Sequence, residues 1–230
     1  MCTAIAYKGD DLLYGFNLDI DPAVWDFSIC KTKSVFALAV TVGKTRYFIH
    51  GVNSSGHFSN APYMNGEPFA VPKGARRERI DLMSDRYIRE KYTFEDIEEI
   101  LRTKAVVNVP AATMHSLIGN ERGDLLIVEP GYGCRKVEER FAVLTNFPVL
   151  TKLSDYSCPF YGKDRYDLAV SALSKAGADF SAEDALRLLY DTKQDGQWAT
   201  RFSFVYSQKR NTVYYFPDGD ISRVESHTFG

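Results

Sequence analysis

Short apolar runs and stretches of helical period alternate along the chain in blocks. An apolar run at 3–7, the turn Gly9-Asp10-Asp11 and a second run at 12–16 predict a hairpin. The runs 35–42 and 46–50 flank Gly43-Lys44-Thr45, a second hairpin signal. Residues 51–65 are rich in Gly, Asn, Ser and Pro and read as loops around a short strand. Helical periodicity then takes over at 80–90 and 93–103. Phe94, Ile97, Ile100 and Leu101 share a face there, and Thr93 with Asp96 suits an N-terminal cap. Strands return at 114–119, 124–129 and 141–145, the first two joined by a turn at 120–123. Helices fit 165–175 and 182–192, the latter capped by Ser181, and strands fit 202–207, 212–216 and 221–225. Strands and helices segregated in this way predict an α+β fold of antiparallel sheets with helices packed on them. Two stacked sheets between helix layers, in one domain over 1–230, accommodate the pattern.

Composition narrows the function classes. A net charge of −2 and a pI near 6.1 leave no electrostatic footprint for nucleic acid or an anionic membrane. The basic cluster at 73–79 is short, is followed by acids, and reads as a solvated turn. No secretory start and no membrane-length apolar run are found. Cys2, Cys30, Cys134 and Cys158 lack metal-like spacing, and His50, His57, His115 and His227 are scattered. These features predict a cytoplasmic protein with reduced thiols and neither metal nor cofactor. The 14 Tyr and 15 Phe favour strands and a roomy apolar pocket.

The most suggestive residue is the second. Removal of Met1, favoured when a residue as small as Cys follows, would give Cys2 a thiol and a free α-amine, a nucleophile and a base in one residue. By type and position alone the plainer reading is a small apolar residue of an N-terminal strand. A catalytic Cys2 needs an acceptor for its amine, donors for an oxyanion, and a cation nearby.

Several motifs occur in order. They are Cys2 with its strand, Gly15-Phe16-Asn17-Leu18-Asp19, Gly51-Val52-Asn53-Ser54-Ser55-Gly56, His115-Ser116-Leu117-Ile118 with Gly123 and the strand ending in Glu129, Leu144-Thr145-Asn146-Phe147-Pro148, and Asp164-Arg165-Tyr166. Together they resemble the choloylglycine hydrolase family of N-terminal nucleophile hydrolases, which includes bile salt hydrolases and penicillin V acylases. The resemblance implies a four-layer αββα sandwich and hydrolysis of a linear amide C–N bond, with no cofactor. It also implies roles: Cys2 as nucleophile and Asp19 as the holder of its amine. Asn146 and the Tyr63 backbone N–H would form the oxyanion hole, with Arg165 balancing charge. Asn60 competes with Tyr63 for its role.

Read without the resemblance, Asp19 is a turn residue, Asn146 a strand end before a turn, Arg165 a surface residue of a first helical turn and Tyr63 a pocket wall. His115 reads as a core or strand-pairing residue, and Cys30, Cys134 and Cys158 as structural or incidental. Phe16 stands where the family generally carries Arg, which makes the pocket more apolar and suits an acyl chain or aromatic acyl group. The chain is also shorter than the family's usual members. The implied partner is a small-molecule acyl amide, with self-association into a homo-oligomer left open. Three other readings remain: an acyltransferase using the same acyl-enzyme, a non-catalytic ligand-binding relative, and a Cys–His peptidase.

Overall fold

Alternation along the first strand, β1 (Cys2–Lys8), sets the layering. Cys2, Ala4 and Ala6 join one apolar cluster while Ile5 and Tyr7 join another. A strand buried on both faces needs a layer on each side. The computed structural model describes residues 1–42, 45–65, 71, 73–108, 112–151 and 159–230. The tip of the hairpin at Gly43 and Lys44, and Cys158, lie outside these residues.

After β1 come β2 (Leu12–Asp19), β3 (Phe27–Lys31), β4 (Val35–Val42), β5 (Thr45–Asn53), β6 (Phe58–Ser59), β7 (Arg77–Arg79), α1 (Ile80–Ile88), α2 (Phe94–Thr103) and β8 (Ala105–Val107). The second half holds β9 (Ser116–Gly119), β10 (Leu125–Glu129), β11 (Gly133–Lys136), β12 (Phe141–Leu144), α3 (Lys163–Lys175), α4 (Ala182–Asp191), β13 (Thr200–Ser207), β14 (Thr212–Pro217) and β15 (Glu225–Thr228). Among the described residues one antiparallel sheet has the order β12-β1-β2-β13-β14-β15 and a second has β11-β10-β9-β6-β5-β4-β3. A short parallel pair, β7-β8, stands apart.

Helices α3 and α4 cover the outer face of the first sheet, and α1 and α2 the outer face of the second. The result is the predicted αββα sandwich. Its central layer joins Ala4, Phe16 and Phe204 of one sheet to Phe36, Val52 and Leu117 of the other. The helices begin where local chemistry dictates. Thr93 with Asp96 and Ser181 with Asp184 form reciprocal capping boxes at α2 and α4.

One predicted strand is displaced. Residues 221–223 form a single 3-10 turn because the Asp220 carboxylate accepts the Ser222 N–H, so the last strand starts at Glu225. The strands β3, β7 and β11 lack the apolar runs that mark the others, and β8 is only three residues long.

Candidate active site

Register places the polar residues around Cys2. β1 pairs with β12 so that Ala4 faces Leu144, and continuing that register by two residues sets Asn146 opposite Cys2. On the other side Cys2 faces Leu18, so Asp19 lies opposite Met1, and the two exchange main-chain hydrogen bonds. Strand alternation then divides the side chains. Cys2 and Leu18 face the space between the sheets, while Thr3 and Asp19 face the helical layer.

Arg165 comes from the first turn of α3 and is the centre of the buried polar corner. One guanidinium nitrogen donates to the Cys2 carbonyl and to Thr3 Oγ1, each at 2.7 Å, and lies 3.3 Å from Asp19 Oδ2. The other donates to Asn146 Oδ1 at 2.7 Å. Gly162, with φ of 77°, precedes the helix, and a Cβ there would collide with this guanidinium. A guanidinium can only donate, so it fixes the Asn146 amide with its oxygen inward and its nitrogen outward. That oxygen also accepts the Cys2 N–H at 3.0 Å, and Asn146 Nδ2 donates to the Tyr63 carbonyl at 2.6 Å. One N–H of that amide remains beyond the Tyr63 bond.

Asp19 accepts hydrogen bonds from Thr200 Oγ1 at 2.6 Å and Gln194 Nε2 at 2.9 Å, in addition to facing Arg165. With Met1 attached, the Cys2 nitrogen is therefore held by Asn146 and the Asp19 carboxylate by Arg165, Thr200 and Gln194. Burial raises the Asp19 carboxyl to about 6, against the pull of Arg165. Burial also pushes the Cys2 thiol up, with the positive chain terminus opposing it.

In front of Cys2 lies a cavity of about 610 Å³. Leu18, Ile20, Val40, Ile49 and Met114 make it apolar, and Trp25, Tyr63, Tyr161 and Trp198 stand around it. Tyr63 forms an isolated antiparallel bridge with Met114, and the flanking bonds run from Met64 to Thr113 and from His115 to Pro62. The bridge is thus a non-hydrogen-bonded pair, whose N–H and C=O groups point away from the partner. The Tyr63 carbonyl meets Asn146, and its N–H, without a partner among the described residues, points to the same side.

Two anticipated pocket residues lie elsewhere. Phe16 is sealed in the central layer, stacked on His50 with ring centroids 4.2 Å apart, and does not line the cavity. Asn60 is also sealed, and its Oδ1 accepts the Leu117 N–H at 3.3 Å. The sheet parity that turns Phe16 inward sets it behind the imidazole of His50, which does line the cavity. His50 was not singled out as a site residue because it interrupts an apolar strand and stands just before, not within, the Gly51–Gly56 motif. Gln194 and Thr200 were missed because only the pairing of β13 with β2 brings them to Asp19.

His115 has the structural role its strand position suggests. Its ring lies 3.0 Å from Glu129 and 2.9 Å from the Thr145 carbonyl, and Glu129 accepts the N–H groups of Val149 and Leu150 at 2.8 and 2.9 Å. This buried pair clamps both sides of Asn146. Among the described residues no group of three His, Cys, Asp or Glu is placed to hold a metal ion, and no helix is long and apolar enough to cross a membrane.

The arrangement of sheets and helices is shared with solved structures. A cysteine-to-alanine mutant of conjugated bile acid hydrolase from Clostridium perfringens matches with a TM-score of 0.72 and 12% identity, over 99% of this chain and 92% of that one. Penicillin V acylase from Agrobacterium tumefaciens matches with a TM-score of 0.59 and 15% identity, over 94% and 83% of the two chains. An N-acylethanolamine-hydrolyzing acid amidase orthologue from Caenorhabditis elegans gives 0.51 at 15% identity, over 90% and 93%. The fold is therefore that of the N-terminal nucleophile hydrolases. At 12–15% identity the likeness to these amide hydrolases is one of fold. No protein-family model matches the sequence, and no curated protein does.

Proposed function

We propose that this chain is an amidase that hydrolyses a linear acyl amide through Cys2 once Met1 has been removed. One arrangement carries the reading: Cys2 opens onto a large apolar cavity while Asn146 and Arg165 hold its main chain from behind. Loss of Met1 also frees the Asp19 main-chain N–H and C=O at the sheet end, beside the new α-amine.

The chemistry follows from these positions. Cys2 Sγ attacks the amide carbonyl carbon as its thiol proton passes to the α-amine. The remaining N–H of Asn146 and the Tyr63 N–H receive the oxyanion. Collapse breaks the C–N bond, the α-amine gives its proton to the departing amine, and the acyl group stays on sulfur as a thioester. Water, deprotonated by the same α-amine, attacks the thioester, and the carboxylic acid leaves with Cys2 restored. Arg165 and Asp19 keep the backbone of the nucleophile fixed and nearly charge-neutral. We assign the protein to the cytosol, in keeping with free Cys2, Cys30 and Cys134 among the described residues.

The test is a hydrolysis panel of penicillin V, glycine- and taurine-conjugated bile salts and N-acyl amino acids, run beside Cys2→Ala. Turnover of at least one member that vanishes in Cys2→Ala supports the reading. Turnover that persists in the variant, or a protein without turnover of any member, contradicts it.

A further inference from the structure

Among the described residues that line the apolar cavity, the buried His50 is a polar group that the amidase chemistry leaves unused. His50 lines the cavity yet is only 4% exposed. Its Nδ1 accepts the Ala61 N–H at 3.3 Å, so this nitrogen carries no proton and the neutral ring bears its hydrogen on Nε2. Nε2 has no partner among the described residues, and His50 lines the cavity. Phe16 stacks against the ring at an interplanar angle of 21°, fixing the direction of the N–H. Burial, with the positive chain terminus as a smaller contribution, lowers the imidazole to about 3, so the ring remains neutral. A ring bonded in this way offers the Cys2 thiol no free acceptor nitrogen.

We infer that His50 is a specificity-determining residue whose Nε2–H donates to an acceptor oxygen within an otherwise apolar acyl group. The inference rests on the acyl-amide reading of the cavity. The surrounding Leu18, Ile20, Val40 and Ile49 offer no hydrogen bond to such an oxygen. An all-hydrocarbon acyl group would leave the enclosed donor without a partner, which disfavours it. The preferred acyl group is therefore an apolar chain interrupted by one ether, keto or hydroxyl oxygen at a fixed depth.

The experiment steps an ether oxygen along one chain. Binding of N-octanoylglycine and its mono-oxa analogues, each replacing one methylene by oxygen, is measured by calorimetry on the Cys2→Ala protein and on its His50→Leu and His50→Gln derivatives. One oxygen position should strengthen binding by about fivefold to tenfold over the hydrocarbon. His50→Leu should erase that preference, and His50→Gln, which retains an N–H donor, should restore part of it; thermal unfolding checks that each variant is folded. No binding by any analogue, equal binding by all, or a preference that survives in His50→Leu would overturn the inference. Parallel hydrolysis assays with intact Cys2 separate the two readings. A His50-dependent preference without turnover would retain the donor site and refute the amidase.

Discussion

Behind Cys2, the buried side chains of Asp19, Asn146, Arg165 and Thr200 satisfy one another; in front of it, Val40, Ile49 and Met114 face open space. The corner uses donor and acceptor geometry to fix one backbone position. The cavity uses apolar surface, which accepts many shapes, and places one enclosed donor at His50. The difference separates reaction from selection: substitutions in the corner should lower the chemical rate, and substitutions in the cavity should change which acyl group is accepted.

The sharpest way to break this comparison is Cys2→Ala, which should lower kcat by about 10⁴-fold or more with the fold unchanged. Asn146→Ala should follow, losing about 10²–10³ in kcat with a smaller change in KM, as measured by steady-state kinetics. A large KM change at constant kcat would move Asn146 to the binding side. Arg165→Met leaves Asp19 buried without its cation; breaking such a pair costs about 3–5 kcal/mol, or roughly 10 °C in Tm for a chain this size.

The pH dependence sharpens the same contrast. Asp19 titrates at about 6 when folded against an ordinary 3.8, so the folded protein keeps this proton to higher pH than the unfolded chain. Its contribution to stability therefore falls as pH rises from about 4 to about 6. Activity should move the opposite way, because the carboxylate that balances Arg165 forms only as pH rises through about 6. Asp19→Asn should flatten both trends, read by thermal unfolding and by kcat/KM against pH. The smallest effect belongs to the cavity: Trp25→Ala should raise KM several-fold with kcat nearly constant, since it removes binding shared by ground and transition states.

The corner was far more legible in the sequence than the cavity. Cys2, Asp19, Asn146 and Arg165 were legible through the short motifs that carry the family resemblance; read alone, Arg165 was a surface residue and Asp19 a turn residue, whereas both are buried. The capping boxes at Thr93 and Ser181 were legible from local chemistry. Thr200 and Gln194 were not, because they reach Asp19 only through long-range pairing of β2 with β13. The direction of Phe16 was equally hidden. Its type indicated an apolar environment, but only the strand's parity and the opposite sheet decide whether it faces ligand or His50.

The central claim is that an unblocked Cys2 carries the acyl group during turnover. Acid-quenching the protein during hydrolysis of an accepted amide, then sequencing its N-terminal peptide by mass spectrometry, tests this directly. The account predicts a peptide that lacks Met1 and carries the acyl mass on the Cys2 sulfur. Turnover by protein that retains Met1, or an acyl group captured on another residue, would contradict it.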